Sequence, residues 1–165
     1  MRNHLVILAA SGAALLAVAA LARSPARAEA EHRCNPAGSE SERQAVAATV
    51  QLYFQGHATG NGDFFRKAFH PDAKLFWIKD GALAQRTSAE FAAGATGKPS
   101  DDEARRVRRI ALIDVAGDAA VAKVELDYPD GAIVDYLSLL KIDGKWTVIN
   151  KIFHRGAAKP VPSKK

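Results

Sequence analysis

Four Gly/Asp dipeptides, Asp80-Gly81, Gly117-Asp118, Asp130-Gly131 and Asp143-Gly144, punctuate the second half of the sequence and constrain its fold more than any other feature. Glycine and aspartate accept the positive backbone angles of tight hairpin turns. Strands are expected near 74–79, 83–86, 106–115, 119–128, 132–142 and 145–154. Such turns join antiparallel neighbours, because a parallel pair needs a crossover of roughly a dozen residues. The chain therefore ends in a long antiparallel meander, preceded by helices. Helices first and strands after make an α+β domain, with the helices on one face of a bent sheet.

The helical part is set by caps and spacing. Ser39, with Glu42 three residues on, opens a first helix whose apolar positions Val46, Val50, Tyr53 and Phe54, then His57, recur at helical spacing up to an end between Gly56 and Gly60. Asp63 caps a second, short helix through Phe64, Phe65, Ala68 and Phe69, stopped by His70-Pro71. Thr87 or Ser88 caps a third over Phe91, fading into Gly94 and Gly97. Strand alternation gives the faces. Ala120, Ala122, Val124 and Leu126 point inward while Lys123, Glu125 and Asp127 face out. Ile110 and Leu112 point one way and Ala111, Ile113 and Val115 the other, so both faces of that strand need cover, the Ile110 and Leu112 face by a second subunit.

The start of the chain bears on where the domain works. A charged opening, Met1 to His4, precedes an apolar, alanine-rich stretch from Leu5 to Ala22, then Pro25 and the triplet Ala26-Arg27-Ala28. That is the order of a cleavable secretory leader over 1–28, with cleavage after Ala28 or Ala30. The alanine-rich stretch makes a weak permanent membrane anchor, so an exported protein, periplasmic or secreted, is expected. A flexible lead-in over 29–42, one domain over 43–156 and a basic, disordered tail over 157–165 follow. Loss of Arg2, Arg23 and Arg27 with the leader cuts the formal net charge from +5 to +2, which removes most of the support for a nucleic-acid partner. Cys34 is the single cysteine, so no intramolecular disulfide forms and stability comes from packing.

Several segments, in order, carry a family likeness: Tyr53-x-x-Gly56-His57-x-x-Gly60, Phe69-His70-Pro71-Asp72-Ala73, Asp80-Gly81, Ile113-Asp114-Val115-x-Gly117-x-x-Ala120-x-Ala122-Lys123-Val124, Asp135-Tyr136-Leu137-x-Leu139 and Gly144-x-Trp146-x-x-x-Asn150-Lys151. The sequence from Gln44 to His154 thereby resembles the "putative lumazine-binding" family of the nuclear transport factor 2-like superfamily. The resemblance implies a cone-shaped α+β fold, a strongly curved antiparallel sheet wrapped around N-terminal helices, with a pocket at the open end and often a homodimer. Related folds include ketosteroid isomerases, dehydratases, polyketide cyclases and non-catalytic binding modules, so the fold by itself selects no function.

Candidate chemistry follows from strand parity. Asp135 shares its face with Ile133, Leu137 and Leu139, where a carboxylate among apolar groups suits a general base or a ligand anchor. An Asp at the mouth, paired with a neighbouring base, is the structural alternative. On the last strand Trp146, Val148, Asn150, Ile152 and His154 share a face, which makes His154 a candidate acid/base partner and leaves Lys151 on the other side. A bulge would reverse this and pair Lys151 with Asp135. Tyr53, His57, Trp77, Leu137, Asn150 and Lys151 are candidate ligand contacts. So is His70, for which capping a helix end is the structural alternative. The dense basic run Arg105, Arg106, Arg108 and Arg109, beside Asp101, Asp102 and Glu103, reads as a solvated loop and strand start, with anion binding as the lesser alternative.

Nucleophile elbows, phosphate loops and metal-ligand spacings are missing from the sequence, so neither a metal nor a cofactor is expected. The expected function is non-covalent binding of a small, partly apolar ligand. The alternative is a cofactor-independent acid/base enzyme, an isomerase, dehydratase or cyclase, with Asp135 as base and His154 or Tyr53 as proton donor.

Overall fold

A computed structural model describes residues 39–157. The leader, Cys34 and nearly all of the lead-in and tail lie outside the described residues. The elements are α1 (Glu40–Thr59), α2 (Gly62–Ala68), β1 (Phe69–Lys79), β2 (Ala82–Thr87), α3 (Ser88–Ala93), a 3-10 turn (Glu103–Arg105), β3 (Val107–Ala116), β4 (Ala119–Tyr128), β5 (Gly131–Ile142) and β6 (Lys145–Arg155). They build a curved sheet of six strands in the order β2-β1-β6-β5-β4-β3, with the helices on its inner face. The α+β class and the expected strands are present. One joint of the sheet differs: β1 and β6, the first and last strands in sequence, lie side by side and run parallel, while the other neighbours are antiparallel.

Each start and stop has a local cause. Ser39 caps α1 by accepting from the Glu42 N–H at 3.3 Å, so the helix begins ahead of the domain start expected at 43. The Glu42 carboxylate accepts from Lys141 Nζ at 2.6 Å and Trp146 Nε1 at 2.7 Å, fastening the head of α1 to the β5–β6 hairpin. Asn61, two residues before the expected Asp63, caps α2 by accepting from the Asp63 N–H at 2.9 Å. A capping box between Thr87 and Glu90 opens α3. Positive φ at Asp80 and Gly81, and again at Asp143 and Gly144, makes both of these hairpin turns of the type that matches strand twist.

The first-helix stripe Val46, Thr49, Val50, Tyr53 and Phe54 is buried against Val124, Leu126, Leu137, Leu139 and Val148 of the sheet. Burial of each such side chain contributes about 1.5–3 kcal/mol. Two bulges set which residues join that core. Ala111 is extra in β3, so Ile110, Ile113 and Val115 turn inward and Leu112 faces out, which separates the expected Ile110 and Leu112 pair. Ile149 is extra in β6 between Val148, opposite Leu139, and Asn150, opposite Ser138. His70 and Pro71 do not stop α2; they lie in an irregular stretch of β1 between Phe69 and Lys74, where no ladder hydrogen bond is asked of the proline.

Candidate functional site

The Ile149 bulge puts Lys151 and Phe153 on the inner face beside Asp135 of β5 and Tyr53 of α1. Tyr53 Oη donates to Asp135 Oδ2 at 2.6 Å, Lys151 Nζ donates to Tyr53 Oη at 2.9 Å, and Lys151 Nζ lies 3.2 Å from Asp135 Oδ1. The three close a ring of hydrogen bonds in which one positive and one negative charge cancel. All are buried, Tyr53 and Asp135 completely and Lys151 to 4% exposure. The Phe153, Tyr53 and Phe91 rings lie 4.6, 5.1 and 5.2 Å from Lys151 Nζ. An ammonium packed against aromatic faces keeps part of the stabilisation lost with water.

Burial governs the protonation of this group. It pushes the Tyr53 phenol well above its usual range, and the adjacent Asp135 charge adds to the effect, so Tyr53 stays neutral and donates. Burial also lowers the Lys151 ammonium, outweighing the pull of Asp135 in the other direction. The arrangement can pass a proton from Tyr53 to Asp135 and from Lys151 to Tyr53 without moving a heavy atom far.

His57, one helical turn beyond Tyr53, sets its ring edge-on to the tyrosine with centroids 4.6 Å apart. Burial holds it well below the usual histidine range, helped by the positive charges of Lys151, Arg108, Arg106 and Arg155. Its Nε2 is closed off from solvent and has no hydrogen-bond partner. His57 also lines a cleft of about 190 Å³ together with Gly56, Gly60, Phe65, Arg86, Phe91, Thr96, Lys98, Ser100 and Arg106. Gly56 is required there: a Cβ would fall 2.3 Å from the Phe65 ring. Gly60, at φ +64, brings the end of α1 against the Lys98 carbonyl, and Gly97 N–H donates to its oxygen at 2.8 Å.

The other candidates fall elsewhere. His154 stands exposed on the outer face opposite Val134, because the bulge reverses the parity of everything after Ile149; it does not face Asp135. Asn150 is turned from the inner face too, its Oδ1 buried without a partner opposite Ser138. Leu137 is core, paired in register with Lys151. His70 accepts from the Asp72 N–H at 3.2 Å through Nδ1, a local turn contact in place of the expected helix cap. Trp77 is half-buried, stacked on Phe153 at 5.4 Å with the Arg86 guanidinium 5.1 Å from its ring. The sequence reading passed over Phe65, Phe91, Phe153, Arg86 and Lys98. Capping and spacing had placed Phe65 and Phe91 on helices, and the strand pattern had placed Arg86, without marking any of them as a site residue.

A curved sheet holding helices on its inner face defines a nuclear transport factor 2-like domain. The chain belongs to the family described as putative lumazine-binding, whose model matches residues 41–154. An aldolase, FrzH, of a Cladobotryum species is 30% identical over 124 residues, covering 70% of this chain and 93% of its own length. An NTF2-like protein of unknown function from Shewanella baltica shares 27% identity and superposes with a TM-score of 0.67, over 73% of this chain and 98% of that one. Another, from Methylobacillus flagellatus, shares 29% identity with a TM-score of 0.63, over 73% and 96%.

Proposed function

We propose that the protein is an exported binding domain, periplasmic or secreted, for a small, partly apolar molecule held in the cleft between the end of α1, α3 and the 94–106 segment. The observation that carries this reading is His57, which lines an aromatic-walled cleft and has an Nε2 without a hydrogen-bond partner. Buried polar atoms are nearly always paired, so an unpaired one beside a cleft marks a place where a ligand completes the set. The family description, putative lumazine-binding, supports a small-molecule ligand. Native mass spectrometry of the protein recovered from the periplasm or medium tests the reading. A bound small molecule lost in Phe91→Ala supports it. A ligand-free protein whose Phe91 and His57 resonances respond to no compound in a fragment library overturns it.

A second reading, cofactor-independent acid/base catalysis on a carbonyl compound, is favoured by the hydrogen-bonded Tyr53, Asp135 and Lys151 and by the relative named as an aldolase. Enolisation needs a base and a neutral donor close together, which Asp135 and Tyr53 supply. The test is deuterium exchange into the α-position of small ketones and aldehydes in heavy water. Exchange abolished by Asp135→Asn establishes turnover; its absence across the panel leaves binding alone.

The homodimer belongs with this proposal. Leu112, Tyr136 and Ile152 are exposed on the outer face at 52%, 44% and 49% and stand in one cross-strand row. Equilibrium sedimentation of the parent and of Tyr136→Asp tests it, with a monomeric parent at micromolar concentration as the refuting result.

A further inference from the structure

We infer that the His57 cleft takes an organic anion, a single-ring aromatic carboxylate, with the ring against the wall formed by Phe65 and Phe91 and the carboxylate towards Arg86 and Lys98. The inference rests on the small-molecule reading of this cleft and names the chemistry of its ligand.

Charge is the first argument. Arg86, Lys98 and Arg106 line the cleft and no acidic residue does. The acids around it are already engaged. Asp102 accepts from Arg106 Nε at 2.7 Å, Glu103 holds Arg108 at 2.6 and 2.8 Å, and Glu90 turns to the Thr87 N–H and hydroxyl at 2.8 and 3.0 Å. Arg106 bonds Asp102 through Nε alone, which leaves its terminal nitrogens as donors. Among the described residues Lys98 and Arg86 make no ion pair within 4.0 Å; the Arg86 guanidinium lies over the Trp77 ring, and its charge also acts on the Glu90 carboxylate. Two cations without a salt-bridge partner beside an acid-free cleft make a field that attracts an anion. A guanidinium resting on an indole stays fixed in place and still presents its edge to a carboxylate.

His57 is the second argument. The charges of Lys151, Arg108, Arg106 and Arg155 all act on the ring, while the carboxylates of Asp135, Asp102 and Glu103 are committed to Tyr53 and Lys151, to Arg106 and to Arg108. A carboxylate in the cleft offsets this positive field. Shape is the third. Phe65 and Phe91 stand 4.5 Å apart between centroids at a 42° tilt and, with His57, give an aromatic wall on one side. A space of about 150 Å³ suffices for one benzene ring, and the cleft offers about 190 Å³. Its rim is preformed, since the Thr96 hydroxyl donates to the Lys98 carbonyl at 2.8 Å and Gly97 is bonded to Gly60.

The experiment uses the full chain, with 4-fluorobenzoate and 4-fluorobenzamide as probes, titrated by fluorine NMR and followed on the protein through the His57 and Phe91 resonances. The two share a ring and differ in charge. The acid is expected to bind at least about tenfold tighter than the amide, the discrimination that a charge-assisted contact supports. In Arg86→Gln/Lys98→Gln, two exposed positions, that ratio is expected to fall towards one, and added salt to weaken the acid selectively. Equal binding of acid and amide at the cleft overturns the anion inference while the cleft remains a small-molecule site. A preference that survives the double substitution overturns it as well. No response of His57 or Phe91 to either compound, or to neutral single-ring fragments, removes both the inference and the reading beneath it.

Discussion

Lys151→Met is the substitution that most directly tests whether the buried set is ionic. The ammonium lies 3.2 Å from Asp135 Oδ1, and the pair is almost wholly closed off, at 5% and 0% side-chain exposure. At that separation the attraction is roughly 5 kcal/mol for an effective dielectric constant of about 20. Methionine matches the length of the lysine stem but leaves the Asp135 carboxylate buried with Tyr53 as its one remaining donor. Breaking a buried pair in this way costs about 3–5 kcal/mol. Removing all the polar atoms together is a different matter: Tyr53→Phe/Asp135→Leu/Lys151→Met strands no group, and its expected cost is under about 2 kcal/mol. The assay is guanidinium unfolding followed by circular dichroism, with ΔG taken from midpoints at constant slope. Lys151→Met within about 1 kcal/mol of the parent refutes the ionic account. So does a triple variant that loses as much as the single substitutions summed, since groups that act as one unit are not additive. A folded triple variant that no longer binds ligand or exchanges a substrate proton shows what the charges are kept for.

Two further perturbations follow from the same region. His57 is held well below its usual pKa, so below about pH 6.5 the unfolded chain takes up a proton that the folded one refuses, and stability falls with falling pH by up to about 1.4 kcal/mol per unit. Urea midpoints measured from about pH 7.5 down to about pH 5 should drop in the parent and drop less in His57→Gln; parallel profiles count against the assignment. Gly56→Ala places a Cβ 2.3 Å from the Phe65 ring, which must shift from its place in the cleft wall. A loss of about 1–3 kcal/mol in thermal unfolding, with weakened binding in the cleft, is expected; unchanged stability speaks against that contact.

The fold was legible because its turns and caps are local chemistry. Asp80-Gly81 and Asp143-Gly144 adopt the positive φ angles their residue types suggest, and the inward set Ala120, Ala122, Val124 and Leu126 follows from period-two alternation alone. The parallel joint between β1 and β6 was hidden because it brings together strands far apart in sequence, which no turn motif reports. The site was legible as far as Asp135 and Tyr53. Beyond them it turned on one inserted residue: with Ile149 counted in strict alternation His154 points at Asp135, and with Ile149 bulged Lys151 does. Bulges are set by how a strand fits both neighbours, and β6 has β5 on one side and the irregular start of β1 on the other. Ala111, the extra residue in the edge strand β3, reassigned Leu112 by the same reversal of parity.

Binding and catalysis differ here by the position of one ring. Phe91 lines the cleft, and its centroid also lies 5.2 Å from Lys151 Nζ and 6.4 Å from the Tyr53 ring, so it stands between the cleft and the buried charges. With Phe91 in place Lys151 should resist reductive methylation while the exposed lysines react. In Phe91→Ala the cleft is expected to reach the ammonium, and peptide mapping by mass spectrometry should find Lys151 modified in protein that still unfolds cooperatively. A ligand confined to the cleft then needs no motion and meets His57, whereas a substrate must displace Phe91 before its carbonyl can meet Tyr53 or Lys151. Lys151 left unmodified in folded Phe91→Ala would show that Phe91 is not the barrier. The approach would then pass Phe153, whose ring is 4.6 Å from the same nitrogen and stacked on Trp77.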